Sequence, residues 1–388
     1  FSADASVSLF EASGRVGGVI KTEVIESDPS GRFVLDHGAD MFAIQPSAAL
    51  DLCRDLGIED QLILPDVRKA GAMVVHRGKL APIPDGFVLM RATKLWQMVT
   101  TPLLSIPGKL RFVAERFVPR QGDGDLSVGE FVRNRMGEEV LDRLVGPLVA
   151  GIYTADVEQL SMEATMAPIA KMVRDHGSLA KATLARRKHG EDATERGSAG
   201  ARYALFRGFP NCMQQLIDAI AAAIVESSIR LRTTVERLVP DDLHPGRWIV
   251  ETHGHAGRYD HVVLATPAPV TARLLRAIDD QLVARPCGII ANELASIEYA
   301  STAIVVLGVR KTQIRSLPDR FGFVVPAIEN RRILAASFAS HKYPIRCPED
   351  HVIVRVFVGG ATQSELLDLT DDQLIDLARE ELGELIGL

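Results

Sequence analysis

The alternation of hydrophobic and polar positions predicts strands near both ends of the chain and helices between them. A short apolar strand, VSLF, ends at Glu11 and leads into a glycine-rich turn. Strand-like segments return between residues 300 and 360 as STAIVVLGV, FGFVVP, RILAASFAS and HVIVRVFVGG. Residues 86–186 have mostly helical patterning that prolines interrupt. Strands joined by helices at both ends of a helical insert are typical of an α/β protein.

Local end signals make some of these elements more definite. Thr370 with Gln373 three positions later is a capping-box pattern, and it predicts the start of the last helix. Residues 248–252 and 260–265 are expected to pair as strands across a turn that contains Gly254. The second of these strands ends in VVLATP, where a proline turn follows at once.

Composition excludes several classes of protein. The 388 residues carry 44 Lys and Arg against 50 Asp and Glu, so the net charge of −6 gives no general attraction to nucleic acid. Four scattered cysteines and ten histidines form no metal-binding pattern, which predicts no bound metal and no disulfide framework. No apolar run approaches the ~18 residues that a membrane span needs. A reducing, cytoplasmic compartment is expected, and hydrolase motifs are absent from the sequence.

The turn after the first strand has the residues of a dinucleotide site. An acidic residue at a strand end accepts hydrogen bonds from ribose hydroxyls in such folds, and Glu11 occupies that place. Gly17 and Gly18 remove side chains where backbone must approach a phosphate or a flavin, and Arg15 can balance negative charge. A solvated turn is the alternative for this motif alone. The small residues at 38–41, after the strand FVLDH, favour nucleotide binding.

These motifs together resemble the flavin-dependent protoporphyrinogen oxidases, within the wider flavin amine oxidase group. The segments that carry the resemblance are EASGRVGG, LDHGADMF, PLVAGIYTADVEQLSM, FRGFPNCMQQL, VVLATPAP, FGFVVP and ASFASHKYPIRCPED. The resemblance implies FAD as cofactor. It also implies three parts: an incomplete, Rossmann-like FAD-binding domain at residues 1–70 and 200–280, a helical insert at 80–199, and a strand-rich substrate domain at 281–388.

The resemblance assigns site residues by position. It implies contacts with FAD for Glu11, Ala12, Arg15, Gly17, Gly18, Val19, Gly38, Ala39, Asp40, Met41 and Val235. It implies contacts with the porphyrinogen for Ala150, Gly151, Phe321, Val324 and Leu334. Without the resemblance, the last three are typical of a plain hydrophobic core. No catalytic acid or base is assigned, because the flavin itself carries the chemistry.

Three departures from the family pattern accompany the resemblance. The Gly-x-Gly-x-x-Gly motif expected before VSLF is missing, and so is the C-terminal flavin segment, which predicts a piece of a longer protein. Where many relatives place an arginine for a substrate propionate, this chain has Ala72 and Met73. Arg68, Lys69 or Arg77 are the candidates to replace it.

A basic segment adds an expectation about location. Residues 87–120 carry six basic residues and one acid, 6 − 1 = +5, beside Trp96, Phe112 and Phe117. Such a mixture suits a membrane surface, and an ordinary basic helix face is the alternative. Peripheral contact at the inner face of the membrane is therefore expected. A homo-oligomer remains open.

The expected activity follows from the resemblance. The chain would oxidise protoporphyrinogen or coproporphyrinogen to the porphyrin in late haem synthesis, with molecular oxygen as electron acceptor. Two alternatives remain: another flavin oxidase that acts on an amine or a polyene, and a flavin-binding protein without turnover. The two porphyrinogens differ only in peripheral carboxylates, so the sequence does not choose between them.

Overall fold

The computed structural model describes most of the chain. The described residues are 6–27, 29, 31–88, 90–119, 124–188, 205–224, 228–278 and 287–388. The loop expected at 187–201 lies outside the described residues from 189 onward.

Strands are concentrated before residue 93 and after residue 206. In chain order, β1 to β17 are Leu9–Phe10, Thr22–Ser27, Gly31–Asp36, Phe42–Ala43, Ala72–His76, Lys79–Pro82, Phe87–Val88, Arg91–Ala92, Phe206–Arg207, Ile229–Arg230, Val235–Pro240, Trp248–Thr252, His255–Tyr259, Thr302–Arg310, Gly322–Val324, Ala335–Phe338 and His351–Gly359. The four strands predicted between residues 300 and 360 are confirmed as β14 to β17.

Helices fill the middle of the chain. In chain order, α1 to α13 are Ala48–Asp55, Leu95–Thr100, Ile106–Val113, Val128–Met136, Glu138–Val140, Gly146–Tyr153, Met162–His176, Leu179–Lys188, Gln214–Ala223, Ala268–Arg276, Cys287–Ala295, Ala339–Lys342 and Asp371–Ile386. Shorter 3₁₀ turns are Glu59–Gln61, Val67–Lys69, Ala114–Phe117, Lys311–Gln313, Ala327–Glu329, Pro344–Arg346 and Ser364–Asp368, and Leu141–Val145 is a π-helix.

The chain divides into two compact units. The first comprises residues 1–20 and 214–299, and the second comprises residues 21–213 and 300–388. These bounds differ from the three predicted domains, because the helical insert and the strand-rich region belong to one unit. The reason is strand pairing: β5, which precedes the helices, lies parallel to β15 in the same sheet. The α/β class is confirmed.

The first unit holds two small sheets. β1 pairs parallel with β10, and β11, β12 and β13 form an antiparallel sheet in that order. Leu238 and Val250 of this sheet pack against Leu274 of α10. The strand expected at 260–265 is wrong: β12 pairs instead with β13, and 261–265 have no strand structure. A strand needs a pairing partner, and no described residue of the chain pairs with that segment.

The second unit is built on a six-stranded sheet with the order β14-β17-β16-β15-β5-β6. One face of this sheet packs on α13, where Val354, Val356 and Leu382 are almost completely buried. The helix α13 begins as predicted, since Thr370 and Gln373 form both hydrogen bonds of a capping box. Helices α2 to α8 enclose a separate apolar core. The opposite sheet face therefore looks towards these helices.

Candidate functional site

The first flavin segment, residues 11–19, is a turn held by its own hydrogen bonds and by backbone bonds to residues 230–233. The amide of Glu11 donates to the Arg230 carbonyl at 3.0 Å, and the Thr233 amide donates to the Glu11 carbonyl at 2.9 Å. The Glu11 carboxylate accepts the Ser13 amide at 2.7 Å. That bond, the Ser13 hydroxyl and nearby Arg15 lower the pKa of Glu11. The carboxylate is ionised and can accept hydroxyl donors, as a ribose site requires.

The two glycines of this segment differ in the space around their missing side chains. Gly17 has φ +104°, and a Cβ there would lie 2.8 Å from the Ile20 carbonyl oxygen. Gly18 has φ +54° and open space around its missing side chain. The Arg15 guanidinium donates to the carbonyls of Val16 at 3.1 Å and Ile20 at 2.9 Å, and to that of Gly18. Arg15 thus holds the turn, in which Ala12, Gly18 and Val19 are exposed.

Val235 occupies the start of an edge strand in the same unit. It is the first residue of β11, and its register with β12 shifts between Val235 and Arg237. β11 is the outer strand of its three-stranded sheet. A bulged edge strand leaves backbone groups available to a ligand, which is the contact that the resemblance implies for Val235.

The second flavin segment, residues 38–41, lies in the second unit and follows β3. Ala39 is exposed, whereas the Asp40 side chain is buried. Asp40 accepts Lys342 Nζ at 2.8 Å and pairs with Arg355 Nη1 at 3.3 Å. Arg355 also donates to the Gly38 carbonyl. The segment therefore presents backbone and one methyl group outward while its carboxylate anchors it from below.

Asp40 belongs to a larger group of buried charges that the sequence did not reveal. We call this group the buried ionic cluster, and it consists of Asp36, Asp40, Lys342, Arg346 and Arg355. Arg346 Nη1 pairs with Asp36 at 3.3 Å, and its Nη2 donates to the carbonyls of Asp40 at 3.2 Å and Phe209 at 3.1 Å. Its guanidinium lies 4.2 Å from the centre of the Tyr343 ring. The cluster ties β3 and the second flavin segment to the segment after β16.

Burial and charge set the protonation states here. Burial alone would raise the pKa of Asp40, but the positive charges of Lys342 and Arg355 hold it well below its usual range. Burial raises the pKa values of Tyr343 and of the Cys212 thiol far above neutrality. The cluster therefore contains an ionised Asp40 beside a neutral phenol and a neutral thiol.

The second unit also brings together four of the five residues predicted to contact the porphyrinogen. A Cβ on Gly151 would lie 3.2 Å from Val324 Cγ1, so α6 passes directly over β15. Ala150 and Leu334 line a common cavity of about 180 Å³. Phe321 is 3% exposed, as a core residue is, and its contact with the porphyrinogen stays a prediction.

Both arginines at the rim of this cavity already have acidic partners. Arg133 pairs with Glu138 at 2.7 Å and with Glu158 at 2.5 Å. Arg331 pairs with Glu381 and Glu384, both at 2.9 Å. Neither guanidinium is therefore an open anchor for a carboxylate.

The predicted substitutes for the missing propionate anchor are placed near β5. Arg68 forms two side-chain hydrogen bonds with Asp66, at 2.8 and 2.7 Å. Lys69 lies 3.4 Å from Asp319. Arg77 follows β5 with φ +53°, and its backbone amide donates to Glu329. None of these contacts tests the anchor, which stays a prediction.

The described residues contain no cluster of His, Cys, Asp and Glu suited to a metal ion, and all four cysteines are buried with free thiols. Within the same residues, no helix combines the length and apolar character that crossing a bilayer requires.

Comparison with known proteins gives a family match over nearly the whole chain and relatives with related names. Residues 2–387 match the family described as flavin containing amine oxidoreductase. A coproporphyrinogen III oxidase of Propionibacterium freudenreichii is 32% identical over 99% of this chain and 73% of its own length. A chloroplastic protoporphyrinogen oxidase of Nicotiana tabacum is 28% identical over 98% of this chain and 68% of its own length.

Solved structures support the same fold. A protoporphyrinogen oxidase candidate from Exiguobacterium sp. 255-15 has a TM-score of 0.80 at 25% identity, with 97% of this chain and 76% of that chain covered. The cyclohexylamine oxidase of Brevibacterium oxydans IH-35A has a TM-score of 0.65 at 16% identity, with 99% and 76% covered. The chain belongs to the flavin containing amine oxidoreductase family, and the resemblance to porphyrinogen oxidases within it is confirmed.

The flavin cofactor, FAD, is thereby confirmed at the level of the family. The residues present fit it: the ionised Glu11 carboxylate can accept hydroxyl donors, and Gly18, Val19 and Ala39 are exposed where the resemblance implies contact with the flavin. The residue-by-residue contacts stay predictions.

Proposed function

We propose that the chain oxidises a porphyrinogen to the corresponding porphyrin, with FAD as cofactor and molecular oxygen as electron acceptor. Bound FAD supplies the hydride acceptor. The chain's own residues bind and orient: Glu11 accepts the ribose hydroxyls, and the backbone of residues 17–19 and 38–41 meets the flavin and its phosphates. The names of the relatives, coproporphyrinogen III oxidase and protoporphyrinogen oxidase, support this choice.

The observation that carries the proposal is the meeting of α6 and β15. The small residues Ala150 and Gly151 let helix backbone approach Val324 and Leu334, which are far away in sequence. Beside this contact, Pro147, Ala150, Val325 and Leu334 give the cavity of about 180 Å³ an apolar wall. Pockets for whole ligands usually have ~300–1,000 Å³, so this cavity suits one edge of a tetrapyrrole. Such a surface orients the ring and excludes water.

The direct test is an aerobic porphyrin-fluorescence assay with the full-length protein and FAD. Coproporphyrinogen and protoporphyrinogen are supplied side by side. Growing fluorescence with either substrate supports the proposal and names the substrate. A flavin-loaded protein that produces none with either one contradicts it, and an amine or a polyene then becomes the next substrate to assay.

A variant tests the pocket separately. Gly151→Val places methyl groups into the 3.2 Å gap to Val324, so we expect KM for the porphyrinogen to rise at least tenfold while FAD binding is unchanged. Gly383→Val is the matched control, because a Cβ on this helical glycine would have only one neighbour, the Leu388 carbonyl oxygen at 3.7 Å. Equal kinetics in the two variants would remove Gly151 from the site.

We also propose peripheral contact with a membrane through the segment at 95–117. Ile106, Leu110 and Val113 form one stripe of α3, and Ile106 is 74% exposed. Trp96 and Phe117 add exposed apolar area, at 70% and 75%. Burying such side chains in lipid contributes roughly 1.5–3 kcal/mol each.

The charges of this segment favour an anionic surface. Lys109 and Arg116 remain at least partly exposed, whereas Glu115 is buried against Arg135 at 2.9 Å and does not offset them. Arg91, counted in the basic segment, is buried and adds nothing to the surface. The exposed charge is therefore positive, as attraction to acidic lipid requires.

Vesicle cosedimentation tests this contact. We expect binding to vesicles with acidic lipid and at least a tenfold loss in the triple variant Trp96→Ser, Ile106→Ser, Phe117→Ser. Leu243→Ser, which removes another side chain that is 75% exposed, is the control and should bind normally. Unchanged binding of the triple variant, or no binding of the unmodified protein, would contradict the proposal.

A further inference from the structure

The buried ionic cluster is not electrically balanced. It contains three cations, Lys342, Arg346 and Arg355, and two carboxylates, Asp36 and Asp40, so 3 − 2 leaves one positive charge. All five residues are 8% exposed or less. An uncompensated buried charge is unfavourable, so such a charge favours a nearby anion.

The residues around the cluster do not supply that anion. Tyr343 packs against Arg346, and burial raises the pKa of its phenol and keeps it protonated. The buried Cys212 thiol is held protonated by the same effect on its pKa. Neither of these two acidic side chains therefore supplies a negative charge.

The cluster also has hydrogen-bond donors to spare. Nε of Arg346 and Nε of Arg355 are buried and meet no acceptor among the described residues. Ser337 Oγ is in the same condition, and Ser337 is the cross-strand neighbour of Arg355 between β16 and β17. Buried polar groups are normally paired, so these unpaired donors add to the unfavourable free energy of the buried positive charge.

The position of the cluster identifies a candidate anion. Arg355 donates to the Gly38 carbonyl and pairs with Asp40, so it contacts the second flavin segment at two places. Hydride transfer breaks a C–H bond of the substrate and gives the flavin ring two electrons and one proton, while the substrate loses its other hydrogen as a proton. The neutral ring thereby gains one negative charge.

We propose that the unbalanced positive charge of the buried ionic cluster stabilises the negative charge of the reduced flavin ring, with Arg355 as the main positioning residue. This inference rests on the proposed flavin role of residues 38–41. Charge near the ring is one of the few means by which a protein sets flavin reactivity. The FAD diphosphate is a second anion that the same charge could favour, and the experiment separates the two.

The test compares affinities for oxidised and reduced FAD. Affinity for oxidised FAD is measured by quenching of flavin fluorescence, and the midpoint potential by equilibration with reference dyes. In Arg355→Met, reduced FAD should lose at least tenfold more affinity than oxidised FAD, which lowers the two-electron potential by about 30 mV or more. Arg355→Lys, which keeps the charge, should restore most of the loss.

A second variant reverses the sign of the effect. Asp40→Asn keeps the shape of the side chain but removes one negative charge, so the potential should rise. This variant decides the question even if Arg355→Met fails to fold, which thermal unfolding of the apoprotein reports. Arg332→Met is the control, since Arg332 pairs with Glu380 at the surface and should leave the potential unchanged.

Three results would overturn the inference. If Arg355→Met loses equal affinity for both forms of FAD, the charge acts on the diphosphate. An unchanged potential in Arg355→Met, or an unchanged or lowered potential in Asp40→Asn, would also contradict it. None of these measurements uses a porphyrinogen. Failure of the fluorescence assay with normal shifts in potential would therefore contradict the proposed function alone.

Discussion

The two flavin segments are anchored by different kinds of contact. The first flavin segment is held by Arg15, which donates to carbonyls no more than five positions away, and by backbone hydrogen bonds to residues 230–233. The second is anchored by Lys342 and Arg355, about 300 residues further along the chain. Both segments therefore depend on distant residues, but only the second depends on charged side chains that are removed from water.

This difference predicts which mutations will destabilise the whole protein and which will affect mainly the affinity for the cofactor. Charges in the buried ionic cluster are almost completely removed from water, so removing one member of an ion pair leaves the other charge buried without a partner. The first segment is partly exposed, and water can replace a lost partner there. Stability should therefore respond strongly to changes in the cluster, and cofactor affinity should respond to changes in the turn.

The largest effect is expected for Arg346→Met. This change leaves Asp36 buried without its cation and the carbonyls of Asp40 and Phe209 without a donor, which should cost about 3–5 kcal/mol of unfolding free energy. Urea unfolding of the apoprotein measures it. Arg332→Met, at an exposed pair, should cost no more than ~1 kcal/mol. Similar losses in both variants would erase the contrast between buried and exposed charges.

An intermediate effect separates the two neighbouring glycines. In Gly17→Ala the new Cβ would lie 2.8 Å from the Ile20 carbonyl oxygen at φ +104°, so a strain of ~1–3 kcal/mol is expected, with FAD affinity lowered tenfold or more. In Gly18→Ala the space is open and φ is +54°, so the expected cost is only ~1 kcal/mol. Titration with FAD gives both affinities. A larger loss in Gly18→Ala would mean that ligand contact outweighs backbone strain in this turn.

The smallest effect on stability is expected for Glu11→Gln. The Ser13 amide and hydroxyl lower the pKa of Glu11 in the folded protein. A lowered pKa means that the carboxylate stabilises the fold above its unfolded pKa and that this contribution is lost as the pH falls through the folded value. The difference in unfolding free energy between the two proteins should be constant above roughly pH 5 and disappear in acid. A difference that grows in acid would contradict the assignment.

The same variant should affect FAD more than it affects the fold. Loss of a charged acceptor for ribose hydroxyls is worth roughly 1.5 kcal/mol, or about tenfold in affinity. Fluorescence titration at neutral pH measures it, and Ser13→Ala, which keeps the carboxylate, is the control. Unchanged affinity in Glu11→Gln would remove Glu11 from the cofactor site.

The features that the sequence could predict depend on local contacts, and those that it could not predict depend on distant ones. The capping box at Thr370 and Gln373 was predictable because both hydrogen bonds lie within one turn of helix. The strands β14 and β17 were predictable because each carries a long run of β-branched residues. The flavin motif was recognisable as residue types at fixed spacing.

The features that the sequence did not predict depend on interaction partners that the spacing of residues along the chain cannot show. Residues 260–265 have strand-like composition, but a strand forms only where another strand lies beside it. The buried ionic cluster was missed, although Lys342 and Arg346 stand in the quoted segment ASFASHKYPIRCPED, because Asp40 and Lys342 are paired across 342 − 40 = 302 positions.

The parallel pairing of β5 with β15 has a consequence for how the chain folds. Ala72 and Gly322 are opposite each other in the sheet, 322 − 72 = 250 residues apart. During synthesis the hairpin of β5 and β6 leaves the ribosome long before β15 does. Its edge therefore stays unpaired while the helices and the later residues of the first unit are made. Contacts of such separation slow folding and leave edges available for aggregation. Recovery of native protein should therefore depend on holding that early hairpin unpaired until β15 leaves the ribosome.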